Sequence, residues 1–101
     1  MIAQLDSKTL DASNSKEFKS AVAPLLGANA KLVFDLNKVD FMDSTGLGAL
    51  VSCLRQAHMA EGEIKLCGLN KPVRALLELV RMHRVFEIFN SPAEAVSSYA
   101  S

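Results

Sequence analysis

Apolar positions divide the chain into short blocks of alternating period. Leu32, Val33 and Phe34 form a continuous apolar run, and Val39 and Phe41 continue at every second residue, which reads as a buried strand and its exit. Beyond them Leu47, Leu50, Val51, Leu54 and His58 recur at steps of three and four, the stripe of an amphipathic helix. A strand therefore hands over to a helix at Asp43-Ser44. The same reading gives a first strand over Met1 to Leu5 and a polar turn over Asp6 to Thr9. A first helix follows over Ser15 to Leu26, with Phe18, Val22, Leu25 and Leu26 on its inner face. Asn14 and Glu17 have capping-box spacing, and Gly27 stands where glycine commonly closes a helix. Ile64 to Cys67 predicts another strand. Asn70 then caps a helix with Pro72 in its first turn and Val73, Leu76, Leu77 and Val80 facing inward. Val85 to Phe89 predicts a last strand, and Ser91 and Glu94 repeat the capping-box spacing ahead of a terminal helix over Pro92 to Tyr99.

This alternation predicts an α/β fold with a mainly parallel sheet of about four to five strands and about four helices, each helix long enough to be a crossover. No repeat, linker or low-complexity segment interrupts residues 1–101, so one domain is expected. In such sheets, sites gather where strand C-termini meet helix N-termini, and Asp43-Ser44 is such a junction. The first four N–H groups of a helix lack internal partners, and the peptide dipoles place roughly half a positive charge there. Asp43 suits the cap position, with Ser44 and Thr45 as competitors. Phosphate added to a serine hydroxyl at this point brings about −1.5 to −2 charge units, attracted by the dipole and repelled by the Asp43 carboxylate. The helix should survive that change, while a partner fitted to the neutral surface should not tolerate it. Gly46 and Gly48 admit two readings: they lower the surface so that another chain approaches closely, or they serve a tight helix-to-sheet contact.

Composition narrows the choice of chemistry. A chain of 101 residues, half of them hydrophobic, suits one packed core. Eleven basic residues balance eleven acidic ones, so no nucleic-acid footprint is expected. No apolar run approaches the roughly 20 residues that span a bilayer, and no charged-then-apolar leader is seen. A soluble, cytoplasmic protein without membrane insertion is the expectation. Cys53 and Cys67 are isolated, neither in a C-x-x-C pair nor near a histidine at ligand spacing. They are expected to be reduced and buried, with no metal and no cofactor. Spacing alone leaves a disulfide open, and the compartment argues against one.

The run Phe34-Asp35-Leu36-Asn37-Lys38-Val39-Asp40-Phe41-Met42-Asp43-Ser44-Thr45-Gly46-Leu47-Gly48 resembles the signature of the STAS domain family, specifically the bacterial anti-sigma factor antagonists. Leu10-Asp11-Ala12-Ser13-Asn14 resembles the segment leading into that family's first helix, and Val85-Phe86-Glu87-Ile88-Phe89 its closing strand. The resemblance covers nearly the whole chain. It implies a partner-switching module: the unmodified antagonist binds an anti-sigma factor that is also a serine kinase, the kinase phosphorylates the motif serine, here Ser44, and a serine phosphatase restores it. Partner contact is then expected from Asp43, Thr45, Gly46, Leu47, Gly48 and Asp11. A monomer or a weak dimer is expected. Family members usually begin with two strands and a glycine-containing turn, whereas here only Met1 to Leu5 precede the turn, and Ser7-Lys8 stand where a glycine is common. A truncated first edge of the sheet is therefore expected.

Enzyme readings find little footing. A hydrolase elbow needs G-x-S-x-G, and Met42 occupies the place of its first glycine. No second aspartate motif exists to form a protease dyad with Asp43, and no lysine follows either glycine as a phosphate loop requires. His58 and His83 read as surface or structural residues, and the cluster of Lys71, Arg74, Arg81 and Arg84 as a solvated face. The rival from another class is a non-phosphorylated STAS adaptor subunit of a transport or stress-signalling assembly.

Overall fold

Each strand of the computed structural model, which describes residues 2–84 and 86–100, is short, and every strand pairing within it is parallel. In chain order the elements are β1 (Ile2–Gln4), β2 (Thr9–Leu10), α1 (Ser15–Val22), β3 (Lys31–Asp35) and β4 (Phe41–Met42). They continue as α2 (Ser44–Met59), β5 (Glu63–Cys67), α3 (Lys71–Leu79), β6 (Glu87–Phe89) and α4 (Pro92–Ala100). The main sheet has four strands in the order β1-β3-β5-β6, with Ala3 beside Phe34, Phe34 beside Leu66 and Leu66 beside Ile88. β1 is one edge of this sheet and β6 the other. The expected beginnings of the first and last strands, at Met1 and Val85, lie outside the described residues.

Side chains alternate across a strand, so β3 and β5 feed two cores. Leu32, Phe34, Ile64 and Leu66 join one cluster with Phe18 of α1, Leu50 and Leu54 of α2, and Val73 and Leu77 of α3. Phe18 meets Phe34 edge to face with ring centres 5.6 Å apart. On the opposite face Val33 and Cys67 pack with Ala95 of α4, beside Phe89 and Tyr99. Burial of β3 on both faces agrees with its unbroken apolar run.

That second face also holds a buried cation that periodicity does not announce. Lys65 is 5% exposed, with Nζ 2.6 Å from Ser98 Oγ, 3.2 Å from Glu87 Oε2 and 4.1 Å from the centre of the Tyr99 ring. The Tyr99 hydroxyl in turn donates to the Leu32 carbonyl at 2.7 Å. Lys65 thus fastens α4 to the sheet through a hydrogen bond and a cation–π contact.

Several local expectations are corrected. The region before α1 is not simply a turn, because Thr9 and Leu10 form β2 and pair with Phe41 and Met42 of β4 in a separate two-stranded sheet. The first helix leaves α geometry after Val22 and continues as a 3₁₀ turn over Ala23–Leu25, where Pro24 cannot donate to an α-helical bond. Gly27 is not a left-handed cap; the only positive-φ glycine among the described residues is Gly68. Asn14 and Asn70 precede α1 and α3 but cap neither through their side chains. Asn14 Oδ1 accepts from the Asp11 N–H and its Nδ2 donates to the Thr9 carbonyl, while Asn70 Nδ2 donates to the carbonyls of Asn37 and Val39. Both amides tie loops together across the fold. α2 ends at Met59 in a Schellman arrangement: Gly62 N–H donates to the Ala57 carbonyl and Glu61 N–H to that of His58, with Glu61 at φ 60°.

The buried stripe of α2 is rotated from the one expected. Gly46, Ala49, Leu50, Cys53, Leu54 and Ala57 face the core, while Leu47 and Val51 are half-buried and His58 is exposed. Gly46, Ala49, Cys53 and Ala57 let α2 lie close to the layer beneath it, with Leu50 and Leu54 filling the core between them and Leu47 and Val51 turned toward the flank.

Candidate functional site

β4 delivers the chain to α2 through one extended residue. Asp43, at φ −103° and ψ −176°, is the N-cap, and its Oδ1 accepts the Gly46 N–H at 2.8 Å. The second carboxylate oxygen accepts the Ala12 N–H at 3.3 Å, so one side chain fixes both the helix start and the loop before α1. Of the three competing caps Asp43 fills the role, which leaves Ser44 and Thr45 as the first helical residues with exposed side chains. The Ser44 hydroxyl makes no hydrogen bond among the described residues, and the residue is exposed.

Asp11 lies on the adjoining loop. Its carboxylate accepts the Ser13 hydroxyl at 2.5 Å and the Ser13 N–H at 2.9 Å, and the Ser13 hydroxyl, followed by its N–H, holds Asp11 below the usual carboxylate range. Through Ala12 this loop rests against the start of α2, so Asp11, Asp43, Ser44 and Thr45 occupy one end of the molecule. Leu47 and Gly48 continue along α2 from there.

The two glycines part company. Gly46 is buried, and a Cβ placed on it would meet the Leu10 carbonyl oxygen at 1.8 Å and its carbon at 2.5 Å. It is a packing position between α2 and β2, not part of the accessible surface. Gly48 faces solvent with nothing within 4 Å of an added Cβ. The tight-contact reading of the motif glycines therefore holds at Gly46, while Gly48 leaves open surface.

Two surface features beside the motif escaped periodicity. Phe41 is 52% exposed, because its neighbour Met42 takes the inward side of β4. A furrow of about 410 Å³ runs along α2 from Ser44 past Leu47 and Val51 to Arg55, closed on its far side by Val80 and Met82 after α3. The signal for both was present as apolar residues standing off the buried stripe. For the furrow it could not be separated from core without knowing how α2 is rotated, and for Phe41 without knowing which side of β4 faces inward.

The remaining chemistry-bearing groups lie apart. Cys53 and Cys67 are buried, unpaired and divided by the sheet, one in each core cluster. Burial raises the Cys53 thiol, and burial together with the Asp35 charge pushes Cys67 up to about 11, so both remain protonated thiols. Among the described residues no group of three or more His, Cys, Asp or Glu side chains is placed to hold a metal. No helix of the described residues is long and apolar enough to cross a membrane.

With this parallel topology and the Asp43-capped helix in place, the STAS domain model matches residues 2–95. The chain belongs to the STAS domain family. It is 29% identical over 66 residues to an anti-sigma F factor antagonist of Paenibacillus polymyxa, a match covering 65% of this chain and 56% of that protein. The structure of a STAS domain protein from Planctomyces limnophilus superposes with a TM-score of 0.90 at 21% identity, covering 99% of this chain and 90% of that one. The Bacillus cell fate determinant SpoIIAA in its phosphorylated form superposes with a TM-score of 0.73 at 17% identity, covering 97% of this chain and 88% of that one.

Proposed function

We propose that this protein is an anti-sigma factor antagonist whose binding to an anti-sigma serine kinase is cancelled by phosphorylation of Ser44 and restored by a serine phosphatase. The observation that carries the reading is the position of Ser44: first residue of α2, exposed, and relieved of capping duty by Asp43. Its hydroxyl is free to enter another protein's active site without unwinding the helix. Phosphate there adds about −1.5 to −2 charges one residue from the Asp43 carboxylate. In a complex fitted to the neutral surface that charge is buried without a partner, a penalty of about 3–5 kcal/mol and a loss of affinity well over 100-fold. Support also comes from the Paenibacillus relative, named as an antagonist, and from the Bacillus protein of the same fold described in a phosphorylated form. In this reading the protein is a substrate, not an enzyme.

The test is a binding measurement with three proteins. Wild type and Ser44→Ala should bind the kinase when unmodified, Ser44→Ala should take up no phosphate, and Ser44→Asp should bind poorly. Equal affinity of Ser44→Ala and Ser44→Asp removes the mechanism. Intact mass of the protein from its native cell separates the switch from the adaptor reading: one phosphate mapped to Ser44 supports the switch, and its absence under every growth condition supports the adaptor.

A further inference from the structure

We propose that the furrow running from Ser44 to Arg55 receives an amphipathic helix of the kinase partner with its acidic end against Arg55, an inference that rests on the phosphorylation reading above. Ser44 and Arg55 are eleven residues apart on one helix, a span of about 16 Å, or three turns of a docked helix. The floor between them is mostly apolar, with Leu47 and Val51 half-buried, Ser52 its one polar side chain and Met82 opposite, and Val80 on the rim is 43% exposed. Beyond its Ser44 end the furrow offers only side chains from α2, because past the first turn the backbone groups of the helix are engaged within it. An extended segment would leave its own N–H and C=O groups unpaired on that apolar floor, whereas a helix arrives with them satisfied. Gly48, with open space above it, lets a second helix backbone come close.

Charge selects which helix. The furrow is lined by Arg55 and by no acidic residue, and Arg55 forms no ion pair among the described residues. Arg81 and Arg84, both exposed, flank Met82 beside it. The chain as a whole is neutral, so this basic end is a local feature and not a reflection of overall charge. An acidic residue at the corresponding end of the partner helix meets a cation at the rim, and a neutral residue at the other end meets Ser44. One end of the furrow thus attracts the partner, and the other decides whether it stays.

Calorimetric titration tests this with the serine kinase retained by Ser44→Ala bait as the probe and Ser44→Ala as the parent protein. Arg55→Glu and Val80→Asp alter exposed side chains, and circular dichroism confirms that each variant is folded. Each should weaken binding by about tenfold or more, and the Arg55→Glu loss should shrink at high salt. Met59→Ser, which alters an 87% exposed residue of α2 away from the furrow, should bind as the parent does. If Ser44→Asp abolishes binding while both furrow variants bind normally, the furrow is overturned and the switch stands. A loss with Val80→Asp but none with Arg55→Glu overturns the acidic helix end. If Ser44→Asp itself binds normally, the switch fails and takes the furrow assignment with it.

Discussion

The same substitution made two residues apart on α2 should move stability in opposite directions. An alanine Cβ at position 46 would lie 1.8 Å from the Leu10 carbonyl oxygen and 2.5 Å from its carbon. Both are backbone atoms of a fully buried residue that β2 holds beside Met42, so neither yields without parting β2 from β4 or lifting α2. Overpacking typically costs about 1–3 kcal/mol, and a contact against fixed backbone belongs at about 3. Replacing a helical glycine returns about 1 kcal/mol, leaving Gly46→Ala destabilised by about 2 kcal/mol and its melting temperature lower by roughly 10 °C. Gly48 has nothing within 4 Å of its added Cβ, so Gly48→Ala should gain about 0.5–1 kcal/mol and melt a few degrees higher. Urea and thermal denaturation followed by far-UV circular dichroism measure both. A Gly46→Ala protein as stable as wild type would refute the close approach of α2 to β2, and a destabilised Gly48→Ala would refute the open surface.

Asp43→Ala should lose about 1–2 kcal/mol in urea denaturation, because it removes the acceptor for both Gly46 and Ala12, while Asp43→Asn should lose less since the amide oxygen still caps. Burial, followed by the charges of Glu63 and Glu87, pushes Tyr99 up to about 12 from 10.0. Because the folded value is the higher one, its contribution to stability is complete below about pH 10 and is lost as pH rises through about 12. As the chain's one tyrosine, Tyr99 can be followed by tyrosinate absorbance, and Tyr99→Phe should flatten the alkaline decline. Lys65→Ala should cost about 2 kcal/mol or more and speed amide exchange in α4, whereas Glu87→Gln, on a side chain 66% exposed, should change stability by less than about 0.5 kcal/mol.

The order of the longer strands and helices and the junction at Asp43-Ser44 follow from period and residue type, because they depend on neighbours a few positions away, while the choice of Asp43 over Ser44 and Thr45 as cap is settled by the Gly46 N–H it accepts. What escaped depends on distant ones. Gly46 and Gly48 look alike in the motif, and only the backbone of Leu10 tells them apart. Asn14 and Asn70 carry cap chemistry at cap positions, yet Thr9 in one case and Asn37 and Val39 in the other take their amides. β2 and β4, two residues each, are too short to give a periodic signal, and Lys65 reads as a polar position until Ser98 and Tyr99 close over it. The furrow became visible only once α2 had been turned to put its small residues inward.

The small sheet of β2 and β4 joins Leu10 to Met42, with α1 and β3 lying between them in the chain. A polypeptide emerging from the ribosome cannot display the end of α2 until that whole intervening stretch has been made and has collapsed around it. A protein that recognises this end therefore meets it only on chains in which β2 and β4 have paired, so recognition doubles as an inspection of folding in that half of the domain.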